Sequence, residues 1–546
     1  MQHPIKSRSL LSGVFLYQSW SRTALAGLLT VLMIDQPLLG ASIGAKHGPT
    51  AGVSQQKGEG RVLHALNRLT FGPRPGDVEA VEAIGLRTWF ENQLNPQKID
   101  DAALNAKLAQ FPAMQLPQSD LMAKYPSQQM IRQMARQESA GPGQGFPRRR
   151  FAALMAADDS ILNDPVERAI YNDQMAFYRV QQQAKAAKET QAANAGTQTS
   201  QASAEMSASA GAEPKMAEGG ASNEVATALP KSDVMETGQN PSEHVEKLYK
   251  GMDVAKVLSL PPDERMRKVI SMSPSEFVAF RQSLSGGELF QFNQGLTPQQ
   301  KEIFAAMQNS TRMVGAEEMQ VRLLRDIYSD RQLEAVMTDF WLNHFNVYVR
   351  KNQNEPYLIP SYERDAIRAN ALGKFEDLLV ATAKSPAMLV YLDNAQSIGP
   401  DSQAAKTGPK LARFAQNPQV KAALKDRGLN ENYGRELMEL HTLGVNGGYT
   451  QADVTEVAKV FTGWTVTPPA RGAEFQFDER RHEPGTKTVL GQKIKENGMN
   501  EGLEVLHILA TSPATAKFIS TKLAVRFVSD DPPASLIDKM SQAFLS

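Results

Sequence analysis

The chain has 546 residues, long enough for several domains and a large hydrophobic core. Its 59 Lys and Arg balance its 59 Asp and Glu, so there is no excess positive charge of the kind that drives nucleic-acid binding. Cys is absent, which excludes disulfides and thiolate chemistry; 41% hydrophobic content with a mean hydropathy of −0.37 excludes both a multi-span membrane protein and a wholly disordered chain.

Residues 1–45 read as an export signal. Lys6, Arg8 and Arg22 precede an apolar run from Ala24 to Ile34, and small residues follow at Gly40, Ala41, Ser42, Gly44 and Ala45. This basic, apolar, small-residue order predicts cleavage near Ala41 or Ala45 and an address in the periplasm or outside the cell. The run is broken by Asp35 and Pro37, too soon for a bilayer span of about 20 residues, so no stable membrane insertion is expected beyond the signal. No Cys follows it to carry a lipid anchor.

Residues 46–183 are expected to be helical. Val62, Leu63, Leu66 and Leu69 lie at helical spacing before a Gly72-Pro73 break, and Val78, Val81, Ile84 and Leu86 resume the pattern. A further helical stretch runs from about Arg148 to Gln183. Residues 184–245 then collapse to Ala, Ser, Thr, Gln, Gly and Glu, which predicts a flexible insert; an alanine-rich helix near Gln181–Ala193 is the alternative at its upstream edge.

Residues 246–546 form the main helical region. Ser273-Pro274-Ser275-Glu276 and Thr297-Pro298-Gln299-Gln300 each place a hydroxyl N-cap before Pro and an acid or amide three residues on. Thr450 opens another helix in the same way, with Asp453 as the acid. Ser385-Pro386-Ala387 and Ser512-Pro513-Ala514 each follow an apolar helix, a small recurring unit. Strand signals are confined to Glu474–Asp478 and Lys487–Ile494, expected to pair as one hairpin. Leu536, Met540 and Phe544 recur every four residues in a last amphipathic helix with no stop signal, so this element is expected to be cut short. The predicted fold is mainly α, a multi-helix globular chain with one small β-hairpin and a long disordered insert.

On a wheel at about 100° per residue, Leu333, Val336, Met337, Phe340, Trp341, Val347 and Tyr348 share an arc with His344. Tyr433, Leu437, Leu440 and Leu443 share another, with Glu436 among them. A carboxylate facing a core must be neutralised or paired. Glu436 is therefore expected either in a structural pair with His344 or an Arg, or with His344 as ligands to a divalent metal, His482 completing the set. His482 lies in a polar loop next to Gly485 and Lys487, a placement that suits function. In an enzyme, Glu436 and His482 would be the catalytic pair of a metal-assisted hydrolase.

Glu439 is expected to pair with Arg435, and His441 to be a boundary or core residue. His64 and His507 are expected to pack, His244 to be solvated and Trp464 to plug the core. Outside the export signal the sequence contains no Gly-x-Ser-x-Gly elbow, and it has no phosphate-cradling Gly loop and no His-Glu-x-x-His. An envelope protein that binds a partner or assists assembly without catalysis is the other reading.

Several blocks together carry a family resemblance. Arg68-Leu69-Thr70-Phe71-Gly72-Pro73, Phe340-Trp341-Leu342-Asn343-His344-Phe345-Asn346-Val347 and Pro386-Ala387-Met388-Leu389-Val390-Tyr391-Leu392-Asp393-Asn394 come first. They are followed by Asn430–Gly444, Phe461-Thr462-Gly463-Trp464 and His482-Glu483-Pro484-Gly485-Thr486-Lys487. In order and spacing the chain resembles the exported bacterial proteins known as domain of unknown function 1800, over roughly residues 61–180 and 320–545. The resemblance implies export and no agreed activity. Where that family usually has Asp after the late His this chain has Glu483, and the family usually continues beyond Ser546.

Overall fold

The computed structural model describes residues 52–127, 129–132, 254–407 and 428–546, with positions 166, 168–176, 178, 179 and 182. The predicted signal at 1–45, the insert at 184–245, the stretch 148–165 and His244 lie outside the described residues. The chain divides into two units, Met1–Gly58 and Glu59–Ser546, and the hydrophobic core belongs to the second.

The fold is mainly helical, as the periodicity predicts. Helices α1 (Gly52–Leu69), α2 (Asp77–Ile84) and α3 (Leu86–Gln93) are punctuated at Gly72 and at Gly85, whose φ is 84°. They close a small cluster of Val62, Leu66, Val81 and Trp89. Helices α4 (Ala102–Leu108) and α5 (Gln118–Lys124) join a single large core shared with the rest of the unit.

Helices α6 (Pro262–Ile270), α7 (Pro274–Ser283), α8 (Gly286–Asn293) and α9 (Pro298–Tyr328) begin at proline or serine signals. Ser273 with Glu276, Ser285 with Glu288 and Thr297 with Gln300 each satisfy two orphan N–H groups reciprocally. Helix α9 is not straight. Asn309 leaves helical torsion (φ −164°, ψ 94°), and its Oδ1 accepts from the Arg312 N–H at 2.9 Å, restarting the helix. The bend brings Glu302 and Glu317 within electrostatic reach of each other, although fifteen residues of straight helix would separate them by about 22 Å. Burial, and then the Glu302 charge, pushes Glu317 up to about 9.

Helices α10 (Gln332–His344), α11 (Glu355–Ser361), α12 (Phe375–Lys384), α13 (Pro386–Tyr391), α14 (Asn432–Glu436) and α15 (Gln451–Val460) surround the core. Two of them run into π-helical turns, Tyr362–Ile367 after α11 and Leu437–Thr442 after α14. The first sends Glu363 inward to Arg368, with Arg325 at 3.6 Å, and leaves Arg364 and Asp365 facing outward.

The β structure corrects the expectation of one hairpin. Strand β1 (Trp464–Val466) pairs antiparallel with β2 (Phe475–Phe477), and β3 (Lys487–Val489) pairs with β4 (Gln492–Ile494). The segment Lys487–Ile494 folds on itself because Leu490 and Gly491 both adopt positive φ, which makes the reversal inside the stretch read as one strand. Helices α16 (Met499–Ala510), α17 (Pro513–Phe527) and α18 (Ala534–Leu545) close the unit; Phe544 of α18 packs on Phe375 at 5.5 Å between ring centroids. Among the described residues no helix is long and apolar enough to cross a membrane.

Trp464 is fully buried, as expected, and Gly502 of α16 lies against its ring. A Cβ there would stand 2.4 Å from Trp464 Cζ2. Gly502→Ala gains helix propensity of about 1 kcal/mol, but the clash outweighs it. A net loss of about 1–3 kcal/mol is expected from overpacking, read as a lower urea midpoint with an unchanged slope. An unchanged or higher midpoint contradicts this packing.

Candidate functional site

His344 ends α10 with its ring buried. Nε2 is 2.9 Å from the main-chain carbonyl oxygen of His441, which can only accept, so Nε2 carries the proton. Nδ1 then accepts from Lys522 Nζ at 3.0 Å. Both nitrogens are engaged, and a cation sits on the lone pair that a metal would need. Burial, then the charges of Lys522 and His441, hold the His344 imidazole down at about 3; burial and then Lys522 do the same to His441.

Glu436 does not join them. It is half-buried at the end of α14, and no hydrogen bond or ion pair connects it to His344 or His482 among the described residues. Burial first, and the neighbouring Glu439 second, raise its pKa. A π-helical turn follows it in the chain. Thr442 Oγ1 donates to the Leu437 carbonyl at 2.6 Å and Leu443 N–H to that of Met438 at 2.9 Å, both five residues back. One extra residue resets the phase of the helix. Leu437, Met438, His441 and Thr442 turn inward, while Leu440 is 47% exposed instead of lying in the apolar stripe.

The carboxylate predicted beside His344 is thus replaced by the His441 carbonyl. Glu439 takes the Tyr449 hydroxyl at 2.9 Å rather than Arg435, which reaches Gln451 and Glu431. On the first arc, Tyr348 lies beyond the end of α10 and is 51% exposed, outside the predicted face.

His482 is buried rather than displayed on a loop. Its Nδ1 donates to the Thr462 carbonyl at 2.8 Å. Its Nε2 faces Glu501 Oε1 at 3.0 Å and Lys487 Nζ at 3.3 Å: a neutral ring accepts from the lysine, a protonated one donates to the acid. Lys487 Nζ reaches Glu501 Oε2 at 2.6 Å and also donates to the Glu483 carbonyl. Burial alone would raise Glu501, but hydrogen bonds from His482, Lys487 and the Asn497 N–H hold its carboxyl below the usual range.

Glu483, at the position where the family pattern has Asp, accepts from the Asp401 N–H at 2.8 Å. It packs so closely on Gly399 that a Cβ there would meet its Oε2 at 2.6 Å. His64 and His507, expected to pack, are both exposed, and His507 pairs with Glu376 at 3.0 Å.

The structure thus gives, among the described residues, no hydrogen bond or ion pair that joins His344, Glu436 and His482 to one another. Among the described residues no group of three or more His, Asp and Glu side chains is placed to hold a metal ion. Glu436 and His482 likewise do not meet as a catalytic pair.

An open site lies elsewhere. A cleft of about 610 Å³ is bounded by the segment before α5, the first π-helical turn, the α12–α13 junction and β2. Its floor is locked. Arg364 Nη1 donates to the carbonyls of Met114 and Leu116, and its other nitrogens grip Asp365 at 2.7 and 2.8 Å. Gln118 donates to the carbonyls of Gly472 and Ala473 and accepts from Ser361.

Of the charged and hydroxyl-bearing lining residues, three are uncommitted. Lys384 and Glu474 enter no hydrogen bond or ion pair through their side chains among the described residues. Ser385 is 7% exposed and stands at the N-cap of α13, yet its hydroxyl makes no capping bond. In the same tripeptide at the start of α17, Ser512 accepts from the Ala514 N–H at 3.3 Å. Sequence reading passed over this cleft. The twin Ser-Pro-Ala units were its one visible trace.

These features define a mainly helical protein with a closed His–Lys–Glu network and a separate polar cleft. The family model described as protein of unknown function (DUF1800) matches residues 64–546, and the chain belongs to that family. Comparison with curated proteins and with solved structures finds no match.

His344 and His441 stay neutral in the folded chain while an unfolded imidazole titrates near pH 6.5. Their folded pKa values are depressed, so unfolding takes up protons below about pH 6.5. The stability they contribute is present above that pH and lost as it falls toward about 3. Urea midpoints should drop between pH 7 and pH 4, and His441→Leu should flatten the slope; an equally steep slope in the variant contradicts the assignment.

Proposed function

We propose that this protein is an exported cell-envelope binding protein that receives its ligand in the cleft of Lys384, Ser385 and Glu474. The observation that carries the reading is the contrast between two kinds of polar group. The imidazoles of His344 and His482 have both nitrogens engaged inside the fold. The cleft side chains of Lys384, Ser385 and Glu474 have no partner among the described residues and line one cavity. A cleft of about 610 Å³ falls within the usual range of small-ligand sites, roughly 300–1,000 Å³. Metal-assisted hydrolysis by Glu436 and His482 has no comparable support.

Export rests on the order Lys6, Arg8, Arg22, then Ala24–Ile34, then the small residues to Ala45. N-terminal sequencing of protein from fractionated cells should find a mature chain that starts after Ala41 or Ala45, outside the cytoplasm. A cytoplasmic chain that begins at Met1 overturns the export reading.

Ligand-observed NMR against a library of small polar molecules tests the cleft. Glu474 is exposed at the rim, so Glu474→Trp should fill the opening without unfolding the chain. Hits on the wild type should vanish in that variant. Hits that persist unchanged contradict the cleft as the binding site.

A further inference from the structure

The cleft holds a lysine ammonium and a glutamate carboxylate that do not pair with each other, with a hydroxyl next to the ammonium in sequence. The fixed groups around them offer a ligand little. Arg364 is neutralised by two hydrogen bonds to Asp365, and the Gln118 amide is spent on Gly472, Ala473 and Ser361. Charge recognition in the cleft therefore falls to Lys384 and Glu474.

The Ser385 hydroxyl sharpens the point. A serine before Pro at a helix start ordinarily turns back to cap the helix. Ser512 does so before Pro513, whereas Ser385 before Pro386 does not. It is more than nine-tenths buried and lines the cleft, so its hydroxyl is a donor available to an occupant. A donor beside an ammonium suits a carboxylate. The Glu474 carboxylate suits an ammonium. Pro117, Ala381, Pro386 and Phe475 supply an apolar wall to the same cavity.

Resting on the reading of this cleft as the binding site, we infer that its ligand is a small zwitterion with an apolar side chain, of the size of an amino acid or dipeptide. Lys384 and Ser385 hold the ligand's carboxylate, Glu474 holds its ammonium, and the apolar wall takes the side chain. A nucleotide fits poorly, because one free ammonium is a weak match for a polyphosphate that calls for several N–H donors. A diamine meets the repulsion of Lys384.

The test uses the dipeptide Ala-Phe, its C-terminal amide and its N-acetyl form, titrated calorimetrically into the full chain. Ala-Phe should bind at least tenfold more tightly than either blocked form. Ser385→Ala and Lys384→Met should weaken Ala-Phe and abolish the difference between acid and amide, while leaving the thermal midpoint within a few degrees of wild type. Glu474→Gln should abolish the difference between free and acetylated amine and leave the carboxylate preference intact.

Equal affinity of wild type for acid and amide overturns the inference. If no form of the dipeptide binds while library hits are still lost in Glu474→Trp, the zwitterion inference falls and the cleft stands. If the hits survive Glu474→Trp, both fall.

Discussion

The fold of the C-terminal half depends on how one buried carboxylate is satisfied. Glu501 lies at the third position of α16, where Asn497 and Gly498 donate N–H groups to it at 2.9 and 3.2 Å. The same side chain takes the ammonium of Lys487 from β3 and faces the imidazole of His482. His482 in turn holds the Thr462 carbonyl, and Thr462 Oγ1 accepts from the Glu483 N–H. The helix start, the second hairpin and the turn before β1 are thus tied at one point. Removing a partner from such a site typically costs about 3–5 kcal/mol, because the remaining charge stays buried. This closure makes His482 an anchor: both of its ring nitrogens are engaged in holding segments together.

What could be read in the sequence followed from how local each signal was. Helix starts at Ser273, Thr297 and Thr450 rest on contacts within four residues, and all three carry the expected capping boxes. The break at Gly72-Pro73 and the burial of Trp464 are of the same kind. The wheel that placed Leu440 in the apolar stripe failed for a reason no local residue announces: Leu437–Thr442 contains neither Gly nor Pro, and its π-helical turn is held within the packed core. The kink at Asn309 was equally hidden, since its Oδ1 cap on Arg312 looks in sequence like any mid-helix asparagine.

The candidate site was less legible than the fold. Sequence reasoning took His344 and His482 as candidate metal ligands, equating a polar side chain near a core with chemistry. The structure separates the two ideas. His344 serves the His441 carbonyl and Lys522. Groups free to meet a ligand are Lys384, Ser385 and Glu474, which come from two segments about ninety residues apart and are united only by the packing of α12 and α13 near β2.

The central claim is that the imidazoles are structural and saturated. Long-range proton–nitrogen NMR of the histidine rings, with and without added Zn²⁺, tests it most directly. At neutral pH, His344 should carry its proton on Nε2 and His482 should carry one on Nδ1, as their carbonyl partners require. Neither ring should respond to the metal. A proton on His344 Nδ1, or Zn²⁺-induced shifts of both rings together, would contradict the account.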